Sequence, residues 1–178
     1  PIDFAAVDAP ARFTEDLREI GFAVLRDAPL DDDAISRIYE AWLAFFQSPE
    51  KTVFRYDRER QDGFFSTAEA EHAKGETLRD LKEYFHYYPW GRCPEALRPD
   101  LERYYAAVLI LGQTLLGWVE ANAPASIAQQ LSEPLSHMIA GSEVSLLRIL
   151  HYPPLVETAG EGVRAAAHAD INLLTILP

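Results

Sequence analysis

The sequence is poor in cysteine and in glycine-rich loops, and each shortage excludes a class of protein. Its 178 residues contain one cysteine, Cys93, so neither an intrachain disulfide nor a cysteine-based zinc site can form. No segment matches the glycine patterns that bind dinucleotides or the phosphates of nucleoside triphosphates. The single cysteine, together with the lack of a secretory signal pattern, favours a cytoplasmic location.

Basic residues are also scarce. Lysine and arginine number 16 against 28 aspartates and glutamates, which gives a formal net charge of −12. Nonspecific binders of nucleic acids and of anionic membranes need a basic surface, so we predict neither partner. The longest apolar stretch, residues 104–119, is broken by glycines and polar residues and is too short to span a bilayer. Hydrophobic residues nevertheless make up 48% of the chain, which is enough for a core.

The first part of the chain has the apolar periodicity of helices. Segments with this pattern are 9–20, 34–47, 95–123 and 125–139, with a helix start at Asp31 to Asp33 and a short helix at "SPEK". Between the helices, "GFAVLRD" predicts a buried strand and "LKEYFHYYP" predicts an extended segment. We therefore predict a helix-rich region over residues 1–140.

After Gly141 the pattern changes to short β-like runs. These runs are "EVSLLRILHYPP", "GVRAAAHAD" and "NLLTIL", with the turn-like "VETAGEG" after the first. The sequence predicts an α+β fold, a single domain in which residues 141–178 form the first strands of a β-rich core. Because a strand-like run ends the sequence, we expect the 178 residues to be a segment of a longer chain.

Two side chains that can bind a metal interrupt the last apolar run. His168 and Asp170 are two residues apart, so in a strand both would point to the same face. An imidazole nitrogen and a carboxylate oxygen can together bind one divalent metal, and two histidines with one carboxylate are the ligand set of non-haem Fe(II) oxygenases. A structural hydrogen bond between His168 and Asp170 is the other interpretation of the same tripeptide.

Seven segments, in order along nearly the whole chain, resemble one family. They are "PIDFAAV", "LREIGFAVLRDAPL", "FFQSPEK", "DGFFS", "DLKEYFHY", "LLRILHYPP" and "HADINLLTIL". The last two are similar to the family patterns R-L-N-Y-Y-P-P and H-T-D followed by L-T-I-L. On these segments the chain resembles the iron- and 2-oxoglutarate-dependent dioxygenases of the isopenicillin N synthase-like family.

The resemblance implies a double-stranded β-helix (jelly-roll) core, here incomplete. It also implies Fe(II) as metal and 2-oxoglutarate as cosubstrate, with His168 and Asp170 as two iron ligands and a third ligand, a histidine, beyond Pro178. Tyr152 and Arg148 match family positions next to the cosubstrate, although a structural ion pair is an equal alternative for Arg148. The reaction implied is the hydroxylation or another oxidation of a small molecule with O₂.

Three positions depart from the family pattern or need a separate interpretation. Leu150 replaces the asparagine of the tyrosine strand, so one hydrogen bond to the cosubstrate is lost or supplied elsewhere. His151 replaces a tyrosine and, because it alternates with Tyr152, is predicted to be structural. His86 is predicted to be a packed side chain, with a place in the pocket wall as the alternative.

Two other functions remain open at this point. One is an oxidase of the same fold that closes a ring on its substrate without 2-oxoglutarate. The other is a non-catalytic binding protein, which would be favoured if the chain were complete at 178 residues.

Overall fold

Helices and two small sheets alternate along the chain, which confirms the mixed α+β composition. A computed structural model describes residues 1–69, 80–154, 164, 170 and 172–178. The helices are α1 (Ala9–Ile20), α2 (Asp32–Gln47), α3 (Arg98–Asn122), α4 (Ala125–Ala128) and α5 (Leu135–Met138), with a 3-10 helix at Pro49–Phe54. The strands are β1 (Ile2–Asp3), β2 (Leu25–Arg26), β3 (Gly63–Phe65), β4 (Glu83–Tyr87) and β5 (Leu147–His151).

The contacts within the chain divide it into two units. The first consists of Pro1–Ile35, Glu102–Ser142 and Leu174–Pro178, and the second of Ser36–Leu101 and Glu143–Leu173. The organisation predicted from the sequence, residues 1–140 followed by 141–178, rests on element type rather than on contacts and stays a prediction.

Helix α1 of the first unit has the predicted bounds. Its last turn ends at Gly21, whose φ of 82° lies in the left-handed region and whose N–H donates to the carbonyl of Leu17 at 3.1 Å. The apolar side of α1 includes Phe13, whose ring packs edge-to-face with that of Trp118 from α3 at a centroid distance of 5.8 Å. The buried members of this core are Ile2, Ala9, Phe13, Leu111 and Leu115.

Two strands predicted from the sequence are shortened or absent. The run "GFAVLRD" forms only the two-residue β2, and Phe22 and Val24 are exposed. The physical reason is its partner, because β1 offers only two residues for parallel pairing, Ile2 with Leu25 and Asp3 with Arg26. The run "NLLTIL" forms no strand over residues 172–178, and its Leu174 and Ile176 instead pack against the apolar core.

Two helix predictions also need correction. The helix expected over residues 125–139 is two four-residue helices, α4 and α5. Pro134 separates them because it lacks an N–H and disfavours helical backbone in the residue before it. Helix α3 begins at Arg98 rather than at residue 95, which puts Pro99 in the first turn, where a proline is tolerated.

Two helix starts in the sequence are confirmed by capping hydrogen bonds. The Asp31 carboxylate accepts from the backbone N–H of Ala34 at 3.0 Å at the start of α2. The Ser48 hydroxyl accepts from the N–H of Glu50 at 3.1 Å at the start of the 3-10 helix. Each cap satisfies a backbone donor that the first helical turn leaves without a partner.

The second unit contains a three-stranded antiparallel sheet in the order β3-β4-β5. Residues directly opposite each other on neighbouring strands point to the same face, and the face alternates along each strand. One face, here called the helix face, carries Phe64, Glu83, Phe85, Ile149 and His151. The other, here called the arginine face, carries Phe65, Tyr84, His86, Arg148 and Leu150.

Aromatic side chains of α2 cover the helix face. The rings of Trp42 and Phe45 contact Phe85 at centroid distances of 4.9 and 5.7 Å, and Phe46 stacks on His151 at 5.2 Å. All three α2 side chains are buried, and burial of each such ring contributes about 2 to 3 kcal/mol. This packing holds the sheet from one side.

A buried ion pair and a glycine fix the start of β3. The carboxylate of Asp62 accepts from Arg92 through Nε at 3.0 Å and Nη2 at 2.7 Å, and Asp62 has no exposed surface. Gly63 follows with a φ of 108°. A Cβ at this position would lie 2.5 Å from the carbonyl oxygen of Phe54, so both the backbone angle and the space require glycine.

We expect Gly63→Ala to lower the free energy of unfolding by about 3 kcal/mol, through backbone strain and overpacking. Gly117→Ala is the matched control, because Gly117 lies inside α3 with nothing within 4 Å of the added carbon. There alanine should stabilise the helix by up to about 1 kcal/mol. Urea unfolding of the two variants measures the difference, and equal effects would contradict the assigned role of Gly63.

Candidate functional site

Arg148 is the charged side chain of the arginine face, and β4 holds it in two ways. Its Nε donates to Nε2 of His86, directly opposite on β4, at 3.0 Å. Its guanidinium carbon lies 4.9 Å from the ring centroid of Tyr84, a cation–π distance. The hydrogen bond acts on the edge of the guanidinium and the ring on its face, so the two contacts restrict its orientation in different directions.

His86 is neutral in this arrangement. An arginine is always protonated, so Nε2 of His86 must accept the hydrogen bond and the ring proton must reside on Nδ1. The side chain is 8% exposed. Burial, followed by the charge of Arg148, lowers the pKa of His86 to about 4, although a backbone hydrogen bond with Gln61 acts in the opposite direction.

Aromatic rings extend the arginine face on the side away from Arg148. Phe65 stacks on Tyr84 with a distance of 4.5 Å between the ring centroids, and the ring centroid of Tyr56 is 4.1 Å from that of Phe65. The His86 ring is 4.7 Å from Phe65 and 5.1 Å from Tyr84. The result is an apolar wall with one cationic group at its end.

The two remaining strand positions singled out in the sequence lie at the end of β5. Leu150 is the last arginine-face residue of β5 and is 39% exposed, while Tyr152 follows one residue after the strand and is 37% exposed. Tyr152 continues the alternation of Arg148 and Leu150. Its backbone carbonyl accepts from Nη1 of Arg164 at 3.4 Å, a long contact. The structure thus places Arg148 and Tyr152 on one strand and its immediate continuation.

Of the two predicted metal ligands, the structure describes only Asp170. His168 lies outside the described residues, so its predicted role as a ligand stays a prediction. Asp170 is described, and its side chain is exposed to solvent. Within residues 1–69, 80–154, 164, 170 and 172–178, no three histidine, cysteine, aspartate or glutamate side chains form a group that could hold a metal ion.

The two other histidines of the sheet are packed, as the sequence predicts. His151 lies on the helix face, where its Nδ1 is 2.7 Å from Oε1 of Glu83 and its ring stacks on Phe46. His86 is the side chain whose contact with Arg148 the sequence did not reveal. Alternation in "EYFHY" could have indicated the face of His86, but only the strand register shows that it meets Arg148.

A cavity of about 950 Å³ lies elsewhere in the second unit, between α2 and residues 90–98. Arg92 and Arg98 line it, but Arg92 is paired with the buried Asp62 and Arg98 donates to the carbonyl of Gly91 at 3.0 Å. None of the predicted site residues lines this cavity. The arginine face therefore remains the candidate site.

Solved structures show what the chain is similar to. A candidate oxygenase from Shewanella oneidensis is 47% identical, with a TM-score of 0.85, and the match covers 97% of this chain and 61% of that one. A candidate 2OG-Fe(II) oxygenase family protein from Caulobacter crescentus is 27% identical, with a TM-score of 0.69, over 97% of this chain and 61% of that one. A full-length Neurospora crassa protein, solved in complex with alpha-KG, shares the fold at 17% identity and a TM-score of 0.69, over 95% and 60%.

Two further comparisons found no match, and the matches to solved structures cover only part of those proteins. No protein-family profile matches the chain, and no curated protein matches it significantly. Among the described residues, no helix is long and apolar enough to cross a membrane. The chain spans about three fifths of the length of the solved structures it matches. The comparisons confirm the resemblance carried by the seven segments: over nearly its whole length, the chain is similar to a candidate oxygenase and to a candidate protein of the 2OG-Fe(II) oxygenase family.

Proposed function

We propose that the protein is an Fe(II)- and 2-oxoglutarate-dependent oxygenase that hydroxylates or otherwise oxidises a small molecule with O₂. The observation that carries the proposal is the 47% identity to a candidate oxygenase over 97% of this chain. The 27% identical relative named as a 2OG-Fe(II) oxygenase family protein supports the choice of metal and cosubstrate. In this proposal residues 1–140 are the helix-rich region and residues 141–178 the first strands of a jelly-roll core.

The donor atoms on the chain fit a ferrous ion. A neutral imidazole from His168 and an exposed carboxylate from Asp170 are donors that this metal accepts, and a second histidine beyond Pro178 would complete the usual set of three. Bound iron and 2-oxoglutarate would together supply the oxidising power for attack on a C–H bond. The chain's own task is to bind and orient the reactants and to exclude water.

Arg148 and Tyr152 are the proposed cosubstrate-binding residues. Arg148 brings a permanent positive charge with donors in a planar fork, which matches the geometry of a carboxylate. Tyr152 brings a phenolic O–H that can donate to the same group. The apolar Leu150 and the ring of Tyr84 lie on the same face as Arg148, and an apolar surrounding strengthens such charged hydrogen bonds.

One observation favours a second candidate. The side chain of Leu150 cannot form a hydrogen bond where the family has an asparagine, so one hydrogen bond to the cosubstrate is lost or supplied elsewhere. A ring-closing oxidase of the same fold that works without 2-oxoglutarate would need no such partner. Product formation in the absence of 2-oxoglutarate would favour this second candidate.

Removing a proposed iron ligand tests the metal site. We expect His168→Ala and Asp170→Ala each to lower Fe(II) affinity at least tenfold, because each deletes one of three donor groups. The matched control is His137→Ala, since His137 is an exposed histidine of α5. Metal content per chain of the full-length protein, measured after anaerobic loading, gives the result. Retention of one iron per chain in both ligand variants would exclude these two residues as ligands.

Tyr152→Phe tests the cosubstrate site. Loss of a hydrogen bond to a charged group should raise the KM for 2-oxoglutarate about tenfold, with little change in thermal stability because Tyr152 is partly exposed. Tyr39→Phe, at an exposed position of α2, is the control. Succinate formation against 2-oxoglutarate concentration measures the effect. An unchanged KM would remove Tyr152 from the site.

A further inference from the structure

Two neutral groups of β4 orient the guanidinium of Arg148. His86 accepts from Nε at 3.0 Å, and Tyr84 presents its ring face at 4.9 Å. A carboxylate in the place of His86 would orient the arginine equally well, but it would also cancel the positive charge. An imidazole that stays neutral fixes the fork without such cancellation.

Arg92 provides the contrast within the same unit. Its guanidinium donates through Nε and Nη2 to the carboxylate of Asp62, and Nη2 also reaches the carbonyl of Arg55 at 2.9 Å. The charge of Arg92 thereby neutralises a buried carboxylate that needs it. Arg92 is thus oriented by an acid, whereas the two contacts described between Arg148 and β4 are with a base and with an aromatic ring.

We propose that His86 is a positioning residue, which fixes the guanidinium of Arg148 for binding a carboxylate of 2-oxoglutarate. The inference rests on the proposed function and deepens it. Buried partners that orient metal-binding side chains commonly change metal affinity about ten- to a hundredfold when they are removed, and we expect an effect at the lower end of that range for a guanidinium. His86 does not touch the cosubstrate in this proposal and acts through Arg148 alone.

The tautomer of His86 is the first test and needs no variant. In ¹⁵N NMR spectra of the full-length protein we expect the His86 ring at pH 7 to carry its proton on Nδ1 and to titrate near pH 4 rather than 6.5. Because the unfolded chain binds this proton at higher pH than the folded chain, His86 should make the protein less stable as the pH falls from about 6.5 to about 4. A proton on Nε2 at pH 7, or a midpoint near 6.5, would overturn the proposal.

A double-mutant cycle is the second test. Isothermal titration calorimetry measures 2-oxoglutarate binding to full-length protein loaded anaerobically with Mn(II), which replaces iron so that no turnover occurs. We expect His86→Phe to weaken binding about tenfold, and His86→Gln, which keeps an acceptor, to weaken it less than about threefold. In an Arg148→Met background, His86→Phe should change the affinity less than about twofold, since there is no guanidinium left to position.

The outcomes separate the two proposals. No binding of 2-oxoglutarate by the wild-type protein would overturn the proposed function and this inference with it. Normal wild-type binding that Arg148→Met leaves unchanged would overturn the inference alone. An equal loss from His86→Phe with and without Arg148 would also overturn it, because His86 would then act by another route. Thermal unfolding of each variant confirms that it is folded, and His86→Gln with the NMR result decides the matter if His86→Phe does not fold.

Discussion

The complete burial of β4 is the constraint on which the second unit depends. All five residues, Glu83–Tyr87, are buried, and they include an acid, Glu83, and a base, His86. A buried ionisable group is costly unless it is paired or neutral. Glu83 meets this condition by pairing, with Nζ of Lys51 at 2.8 Å and Nδ1 of His151 at 2.7 Å, and His86 meets it by staying neutral beside Arg148.

These partners lock the register between β4 and β5. His151 lies directly opposite Glu83 and Arg148 directly opposite His86, so both pairs form in the same alignment. A shift by one residue would move every side chain of β5 to the other face. Arg148 would then be brought toward the aromatic rings of α2, and the buried Glu83 would lose His151. The strand alignment that gives the buried Glu83 and His86 their partners therefore also sets the position of Arg148, the proposed cosubstrate-binding residue.

The sequence predicted well those elements whose signals are local. Helix α1 has its predicted bounds because a proline in its first turn and Gly21 after it mark both ends. The predictions failed where a partner or a single proline decides the outcome. The β-forming residues after Gly21 pair only over Leu25–Arg26, because β1 is short, and residues 125–139 form two helices because Pro134 interrupts them. The periodicity of apolar residues reveals neither the length of the partner strand nor the effect of a single proline.

The candidate site was predicted in the same uneven way. Resemblance to a family could point to Arg148 and Tyr152 as cosubstrate-binding residues because the motif "LLRILHYPP" is contiguous in the chain, and that role stays a prediction. It could not identify the role of His86, which is 62 residues away from Arg148 and meets it only through strand pairing. A single histidine in an aromatic strand is more often a packed side chain than a functional one, and His86 is indeed packed.

Packing and function need not exclude each other at His86. Desolvation keeps its ring neutral, and a neutral ring can accept a hydrogen bond from an arginine without cancelling the arginine's charge. An exposed histidine in the same place would be protonated in part near neutral pH and would then repel the guanidinium. Burial of His86 is therefore the physical condition under which β4 can fix the orientation of Arg148 and still leave its positive charge uncancelled by the residue that orients it.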